Sequence, residues 1–186
     1  MKNVLREPQD IRQQIWKELG RASGDRHHEW RTPVLATVGC DGSPNARTVV
    51  LRKVDAKLLT FCFYTDARSE KVSELAKEPK AVFVFWSLRL NWQLRVKAEI
   101  SISTKGPELQ TLWQRVQQSA SAADYMASAS PGTERPEGYS SAQTLSGDHH
   151  FAMLNAQVLQ MDWLELGRGG HRRASMSADT WQWLVP

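Results

Sequence analysis

The chain has 186 residues, 41% of them hydrophobic, which suits one ordinary globular domain whose core needs no covalent staple. Its 24 cations and 20 anions leave a formal charge of +4 and a pI near 9.2, a mixed surface and not the basic stripe of a nucleic-acid binder. Two cysteines, Cys40 and Cys62, argue against a disulfide framework; no apolar run can span a bilayer, and MKNVLREPQDIRQQ lacks a signal-peptide core, so a cytoplasmic protein without nucleic-acid or membrane partners is expected.

Ile11, Ile15 and Leu19 recur at helical spacing beside Trp16, with Asp10 as N-cap and Gly20 as stop, and predict an amphipathic helix. The polar stretch to Thr32 reads as a linker, so residues 1–30 form a helical appendage. From Pro33 onward "VLATV", a turn around Asp41-Gly42, and "ARTVVLRKV" read as strand, hairpin connection and strand. "LLTFCFYT" is a further strand. Ser69 then caps a short helix, "EKVSELAKE", whose stripe is Val72, Leu75 and Ala76 and which Pro79 ends. "AVFVFW" and "NWQLRVKAEISIS" are strands, the second alternating Gln93, Arg95, Lys97 and Glu99 against Leu94, Val96, Ala98 and Ile100. A helical segment from Gly106 to about Met126 carries Leu109, Leu112, Trp113 and Val116 on one face. Residues 127–150, rich in Ser, Gly and Pro, read as a long loop. Strands resume in "HFAMLNAQVLQMDWLEL" and end in "TWQWLVP", with the glycine-rich turn "GRGGHRRAS" between them. Many short, hairpin-linked strands and a few helices predict a mainly β (α+β) domain over 1–186, an antiparallel barrel with flanking helices.

Four stretches bear candidate chemistry. "RTVVLR" places a guanidinium at each end of an apolar run, and period two sends Arg47, Val49 and Leu51 to one face and Thr48, Val50 and Arg52 to the other. The bland reading is two arginines snorkelling at the rims of a barrel; the sharper one is a clamp for phosphate or carboxylate. "FYTDARSEK" ends a strand with Tyr64 and Thr65 and opens a helix with Ser69 and Lys71, where hydroxyls, a cation and free N–H groups make an anion cradle. Gln93 puts an amide between apolar neighbours, in need of partners that a flat heteroaromatic or the backbone would supply. "MDWLELGRGGHRR" joins Trp163 to His171, Arg172 and Arg173 through a flexible turn.

Taken in order, these positions resemble the pyridoxamine 5'-phosphate oxidase family of FMN-binding split barrels. The resemblance rests on Arg47, Val49, Leu51 and Arg52 in one strand, Tyr64-Thr65, Ser69 and Lys71, Gln93, the pair Gln143-Thr144, Trp163 with Arg173 ten residues later, and the tryptophan-rich tail. It implies an FMN-dependent oxidoreductase acting on a small molecule, and a homodimer with FMN at the interface. Arg47 and Lys71 would hold the phosphate with hydroxyl help from Thr65 and Ser69. Tyr64, Arg52, the backbone of Val49, Val50 and Leu51, and the Gln93 amide would complete the pocket. Gln143, Thr144, Trp163 and Arg173 would reach the cofactor of the other subunit. Arg52 and Tyr125 would face the substrate, and His171 is the candidate acid or base, against its alternative as a solvated loop histidine.

Three departures stand out. Glu70 replaces an arginine of the family's helix start, Ala129 the arginine of its Tyr-x-x-x-Arg substrate segment, and Gly169 the ring-side arginine before His171. Pyridoxamine phosphate would be poorly held, which points to a divergent member with another substrate, or to a flavin carrier or sensor without turnover. A lone RGG in a chain of balanced charge is a weak sign of RNA binding. The pairs His27-His28 and His149-His150 lack the partners of a metal site, and none is expected.

Overall fold

A computed structural model describes residues 7–134 and 147–186. Helix α1 (Pro8–Gly24) precedes a 3-10 turn at Glu29–Arg31 and strands β1 (Val34–Val38), β2 (Pro44–Thr48), β3 (Leu51–Asp55) and β4 (Thr60–Asp66). Helix α2 (Glu70–Lys77) leads to β5 (Lys80–Ser87) and β6 (Trp92–Ser103); helix α3 (Pro107–Val116) and a 3-10 turn, Ala120–Tyr125, precede β7 (Phe151–Glu165), β8 (Arg172–Met176) and β9 (Trp181–Leu184).

All strand pairings are antiparallel, in the order β2-β1-β5-β6-β7-β4-β3, with β8 and β9 added beside the second half of β7. The sheet curls on itself: the rings of Phe63 on β4 and Phe83 on β5 stack at 4.6 Å although β6 and β7 lie between their strands in the ladder. Phe61 meets Phe83 and Phe85 edge-on across the same interior. Inward positions of every long strand supply this core, and Ile11, Ile15, Leu19 and Ala22 of α1 join it. Cys62, Leu109, Tyr125, Phe151 and Met153 form a second cluster, where α3 and the following turn cover the outer face of β4 and β7.

Several sequence expectations are corrected. Helix α1 runs past Gly20 to Gly24 with Glu7 as its N-cap, because Ala22 still has core to bury against. The linker is not wholly solvated, since Trp30 is fully buried against Phe85 and Trp92. "ARTVVLRKV" is two strands: Val49 and Val50 leave the ladder where the chain crosses from one edge of the sheet to the other. The stripe of α2 buries Glu74 with Leu75 and leaves Ala76 exposed. Arg172–Met176, read as cations after a turn, are strand β8. The hairpin at Asp41-Gly42 is as expected, with Gly42 at φ 87° and the Asp41 carboxylate accepting from Ser43 N–H at 2.9 Å.

Candidate functional site

Arg47 joins Thr65, Ser69 and Lys71, which lie within seven residues of one another, where β2 and β4 end against α2. Ser69 is 3% exposed and its hydroxyl donates to the Asp66 carbonyl at 2.7 Å instead of capping the helix; it also lies 3.1 Å from the Thr65 hydroxyl. Lys71 Nζ donates to Thr65 Oγ1 at 3.2 Å. Arg47, opposite Leu35 on the inward face, donates through Nη1 to Thr37 Oγ1 and through Nη2 to Glu74 Oε2 at 2.8 Å. Burial, and then the nearby guanidinium of Arg47, hold the Lys71 ammonium below its ordinary range. An anion seated here would offset the repulsion between the two cations, of which Arg47 already has a carboxylate partner in Glu74.

Glu74, Thr37 and Asn45 were not legible as site residues. Glu74 reads in sequence as one more carboxylate on a solvated helix, yet it is fully buried and accepts from Thr37 Oγ1 at 2.7 Å and Asn45 Nδ2 at 2.7 Å as well as from Arg47. Burial pushes its carboxyl up; the hydrogen bonds of Thr37 and Asn45 and the charge of Arg47 outweigh that and leave it below the ordinary range, hence ionised. Its spacing of three from Lys71 and four from Glu70 was the available signal.

A second group forms around Arg52. A β-bulge between Leu51 and Lys53 makes Arg52 the extra residue opposite β4, so Leu51 and Val54 both pack inward and Arg52 is turned to the outer side. There its guanidinium lies 5.3 Å from the centroid of the Tyr64 ring and near enough to Tyr125 to favour its phenolate, and its Nε–H is buried without a partner. Burial raises both tyrosine hydroxyls above their usual range, and Arg52 opposes the rise in each. Tyr125, expected with Arg52 to face a substrate, is 7% exposed and belongs to the second cluster. Tyr64 borders a groove of about 260 Å³ that Lys53, Cys62, Glu108, Leu112 and Asn155 also line. Burial, with Glu108 nearby, pushes the Cys62 thiol up to about 11, so it is no thiolate nucleophile at neutral pH.

Other candidates stand elsewhere. Val49 N–H is spent on the Pro33 carbonyl at 3.0 Å and cannot serve a ligand, a correction to its expected role; Leu51 is fully buried and Val50 half-buried. Gln93 is half-buried between Trp86 and Leu164 on the outward face of β6, opposite in sense to Arg47. On that face Arg173 forks onto Asp162 at 3.1 and 2.8 Å, and Arg95 binds the same carboxylate at 2.5 Å. Trp163 is corrected outright: it is fully buried, edge-on to Trp92 at 5.2 Å, because Leu94 and Ala174 flank it on the inward face. It cannot touch a molecule outside the core. His171 is exposed on the β7–β8 turn, where its Nδ1 accepts from Gly167 N–H at 3.3 Å, a bond within its own turn. Gln143 and Thr144 lie outside the described residues.

The residue before Ser69 also matters. Arg68 forks onto Asp66 and reaches the carbonyls of Ala127 and Ser128 at 2.8 and 3.0 Å, while Ala67 N–H binds the His150 carbonyl at 2.7 Å and His150 N–H the Tyr125 carbonyl at 2.7 Å. Both ends of the segment read as a long loop are therefore tied to the turn that carries the cradle.

The family model described as pyridoxamine 5'-phosphate oxidase, FMN-binding domain, matches residues 12–104, half of the chain. The pyridoxine/pyridoxamine 5'-phosphate oxidase of Thermosynechococcus vestitus is 48% identical over 66 residues, covering 36% of this chain and 30% of that protein. The enzyme of the same name from Burkholderia cenocepacia is 40% identical over 72 residues, covering 39% and 33%. The match thus spans about a third of the length of these curated relatives. Among solved structures, a pyridoxamine 5'-phosphate oxidase-related, FMN-binding protein of Nostoc punctiforme superposes with a TM-score of 0.71 at 24% identity, covering 97% of this chain and 98% of that one. PhzG of Burkholderia lata, solved with tetrahydrophenazine-1-carboxylic acid, gives 0.73 at 19% identity, covering 99% and 98%. At these identities the structures show a shared split-barrel fold, and with the matching family model the chain belongs to the pyridoxamine 5'-phosphate oxidase FMN-binding domain family.

Proposed function

We propose that this chain binds FMN through the Arg47–Lys71 cradle and, as a homodimer, works as an FMN-dependent oxidoreductase on a small anionic molecule other than pyridoxamine 5'-phosphate. The observation that carries the reading is the convergence of Arg47, Thr65, Ser69 and Lys71, two cations and two hydroxyls from three segments, with the ammonium desolvated and pressed by the guanidinium. Those groups fit a phosphate monoester in hydrogen-bonding capacity.

Bound FMN would supply the hydride-accepting chemistry itself. The residues of this chain bind and orient. Arg47 and Lys71 anchor the phosphate end, and the outward face bearing Gln93 and Arg173 is where a second subunit would meet the first. Arg52, with an unspent Nε–H beside Tyr64 and Tyr125, suits the carboxylate or phosphate of a substrate. Ala129 and Gly169, where the family resemblance has arginines, disfavour pyridoxamine phosphate. A solved neighbour of the same fold holds a ring carboxylic acid, which is in keeping with an anionic substrate.

The test is the absorption spectrum of the purified protein, followed by titration of the flavin-free chain with FMN. Oxidised-flavin bands, or saturable quenching of FMN fluorescence, are expected, as is flavin reduction by NAD(P)H or by a donor from a panel of cyclic amines and carboxylates. Failure to bind FMN at any concentration tested would defeat the proposal, and tight binding with no reducible state would leave a carrier or sensor.

A further inference from the structure

The buried carboxylate beneath the cradle has consequences for what the cradle prefers. Glu74 is fully buried, both its oxygens are occupied, and one of its three donors is the guanidinium proposed above as a phosphate ligand. Arg47 thus spends one N–H on Glu74 and another on Thr37 and keeps the rest for the open side, where its side chain is 20% exposed. Glu70 lies one turn earlier on α2, exposed, 3.4 Å from the Asn45 amide that also holds Glu74. Arg47 and Lys71 contribute two positive charges, Glu70 and Glu74 two negative ones, and Asp66 is neutralised by its own fork from Arg68. The cradle has the donors of a phosphate site and almost none of the net charge.

We infer that Glu74 is a resident counter-ion of Arg47, which holds the guanidinium in place and at the same time cancels most of the affinity that the phosphate of FMN would otherwise add over unphosphorylated riboflavin. The inference rests on the FMN reading for its ligand. Two effects of Glu74 oppose each other. It orients Arg47, which favours binding, and it repels a phosphate carrying a charge of about −1.5 to −2 at neutral pH. Thr37 still holds Arg47 when the charge is removed, and a glutamine at 74 still offers a carbonyl oxygen, so the orientation is largely kept. Repulsion between a poorly solvated carboxylate and an anion a few ångströms beyond Arg47 therefore outweighs the loss of orientation at the effective dielectric of such sites.

The experiment compares the full-length wild type, Glu74→Gln and Glu70→Gln by flavin-fluorescence titration with FMN and with riboflavin. The expected result is a small preference for FMN in the wild type and a preference about tenfold greater in Glu74→Gln. In Glu70→Gln, where the charge is exposed, the gain is expected to be about twofold and to fade with added salt. Glu74→Gln should also melt lower without ligand, since Arg47 is then unpaired, and recover more of its melting temperature on adding FMN than the wild type does. Should Glu74→Gln fail to fold, Glu70→Gln decides the charge argument. An unchanged or reduced preference for FMN in folded variants overturns the inference. If neither flavin binds to any form, the FMN reading falls, and inorganic phosphate decides the counter-ion separately: it must raise the melting temperature of Glu74→Gln or Glu70→Gln more than that of the wild type, or the inference falls too.

Discussion

The guanidinium of Arg68 forks onto the carboxylate of Asp66, Nε to Oδ1 at 3.1 Å and Nη2 to Oδ2 at 2.7 Å. Burial raises the Asp66 carboxyl, but the hydrogen bonds and charge of Arg68 bring it below its usual range. The same guanidinium holds the carbonyls of Ala127 and Ser128, so one side chain joins the turn before α2 to the start of the 127–134 segment. Replacing it with alanine is expected to release that segment while the barrel core stays intact. Limited proteolysis should cut Arg68→Ala several times faster than the wild type between residues 127 and 134, and the thermal midpoint should fall because the buried Asp66 carboxylate loses its partner. Equal cleavage rates would show that Arg68 does not anchor the segment.

Removing either cation of the cradle has separable costs. Lys71→Met deletes a charged contact to the phosphate and should weaken FMN binding by about 1.5–3 kcal/mol with small effect on the empty protein. Arg47→Ala strips a fully buried carboxylate of its partner and should lower stability by about 3 kcal/mol in addition to weakening FMN. Fluorescence titration and urea unfolding measure the two quantities. Normal FMN affinity in both variants would remove the cradle as the phosphate site.

Arg52 is the charge that restrains one buried and one half-buried phenol. Burial raises the hydroxyls of Tyr64 and Tyr125, and Arg52, as a cation, favours the phenolate and pulls them back. Arg52→Leu is therefore expected to move part of the tyrosine titration to still higher pH, as followed by ultraviolet absorbance. It should also raise the KM for an anionic substrate more than it lowers kcat, because binding and not bond-breaking is lost.

Glu18 is expected to contribute to acid sensitivity. This carboxylate of α1 is buried, lies 2.8 Å from His28 Nε2 and 2.5 Å from Arg89 Nη2, and also accepts from Gln14 and Arg21. Burial raises its pKa, and the His28 hydrogen bond with the charges of Arg89 and Arg21 more than reverses this, leaving it below 4.5. A lowered folded pKa means that the stabilisation is complete above the unfolded value and is lost as pH falls below about 4.5 through the folded value. Urea unfolding between pH 7 and pH 3 should show a shallower acid decline for Glu18→Gln than for the wild type, from a starting stability about 2 kcal/mol lower.

The stack of Phe63 on Phe83 closes the barrel interior, with both side chains fully buried. Phe63→Ala should cost about 3–5 kcal/mol by denaturant titration. A cost under about 1 kcal/mol would mean that the curled sheet does not depend on this contact.

Strand and helix identities were legible because local periodicity answers to local burial: alternation in β6 and the spacing of Ile11, Ile15 and Leu19 follow from which side faces the core. The cradle residues Arg47, Thr65, Ser69 and Lys71 were legible as well, since polar groups at strand ends and a helix start are chemically conspicuous wherever the chain runs. What sequence could not decide was anything set by a partner distant in the chain. A β-bulge turned Arg52 and Lys53 to the same side, and a period of two has no means to foresee an inserted residue. Trp163 carries a conspicuous side chain, yet its direction was settled by Leu94 and Ala174 on the strands to either side.

Glu74 shows the division most sharply. By itself the sequence determined that a short amphipathic helix with a carboxylate at this position follows the Tyr64-Thr65 strand. Only the tertiary structure decided that this carboxylate is buried and charged beneath Arg47, because the energy of a buried ion depends on donors from Thr37 and Asn45 that lie 37 and 29 residues away.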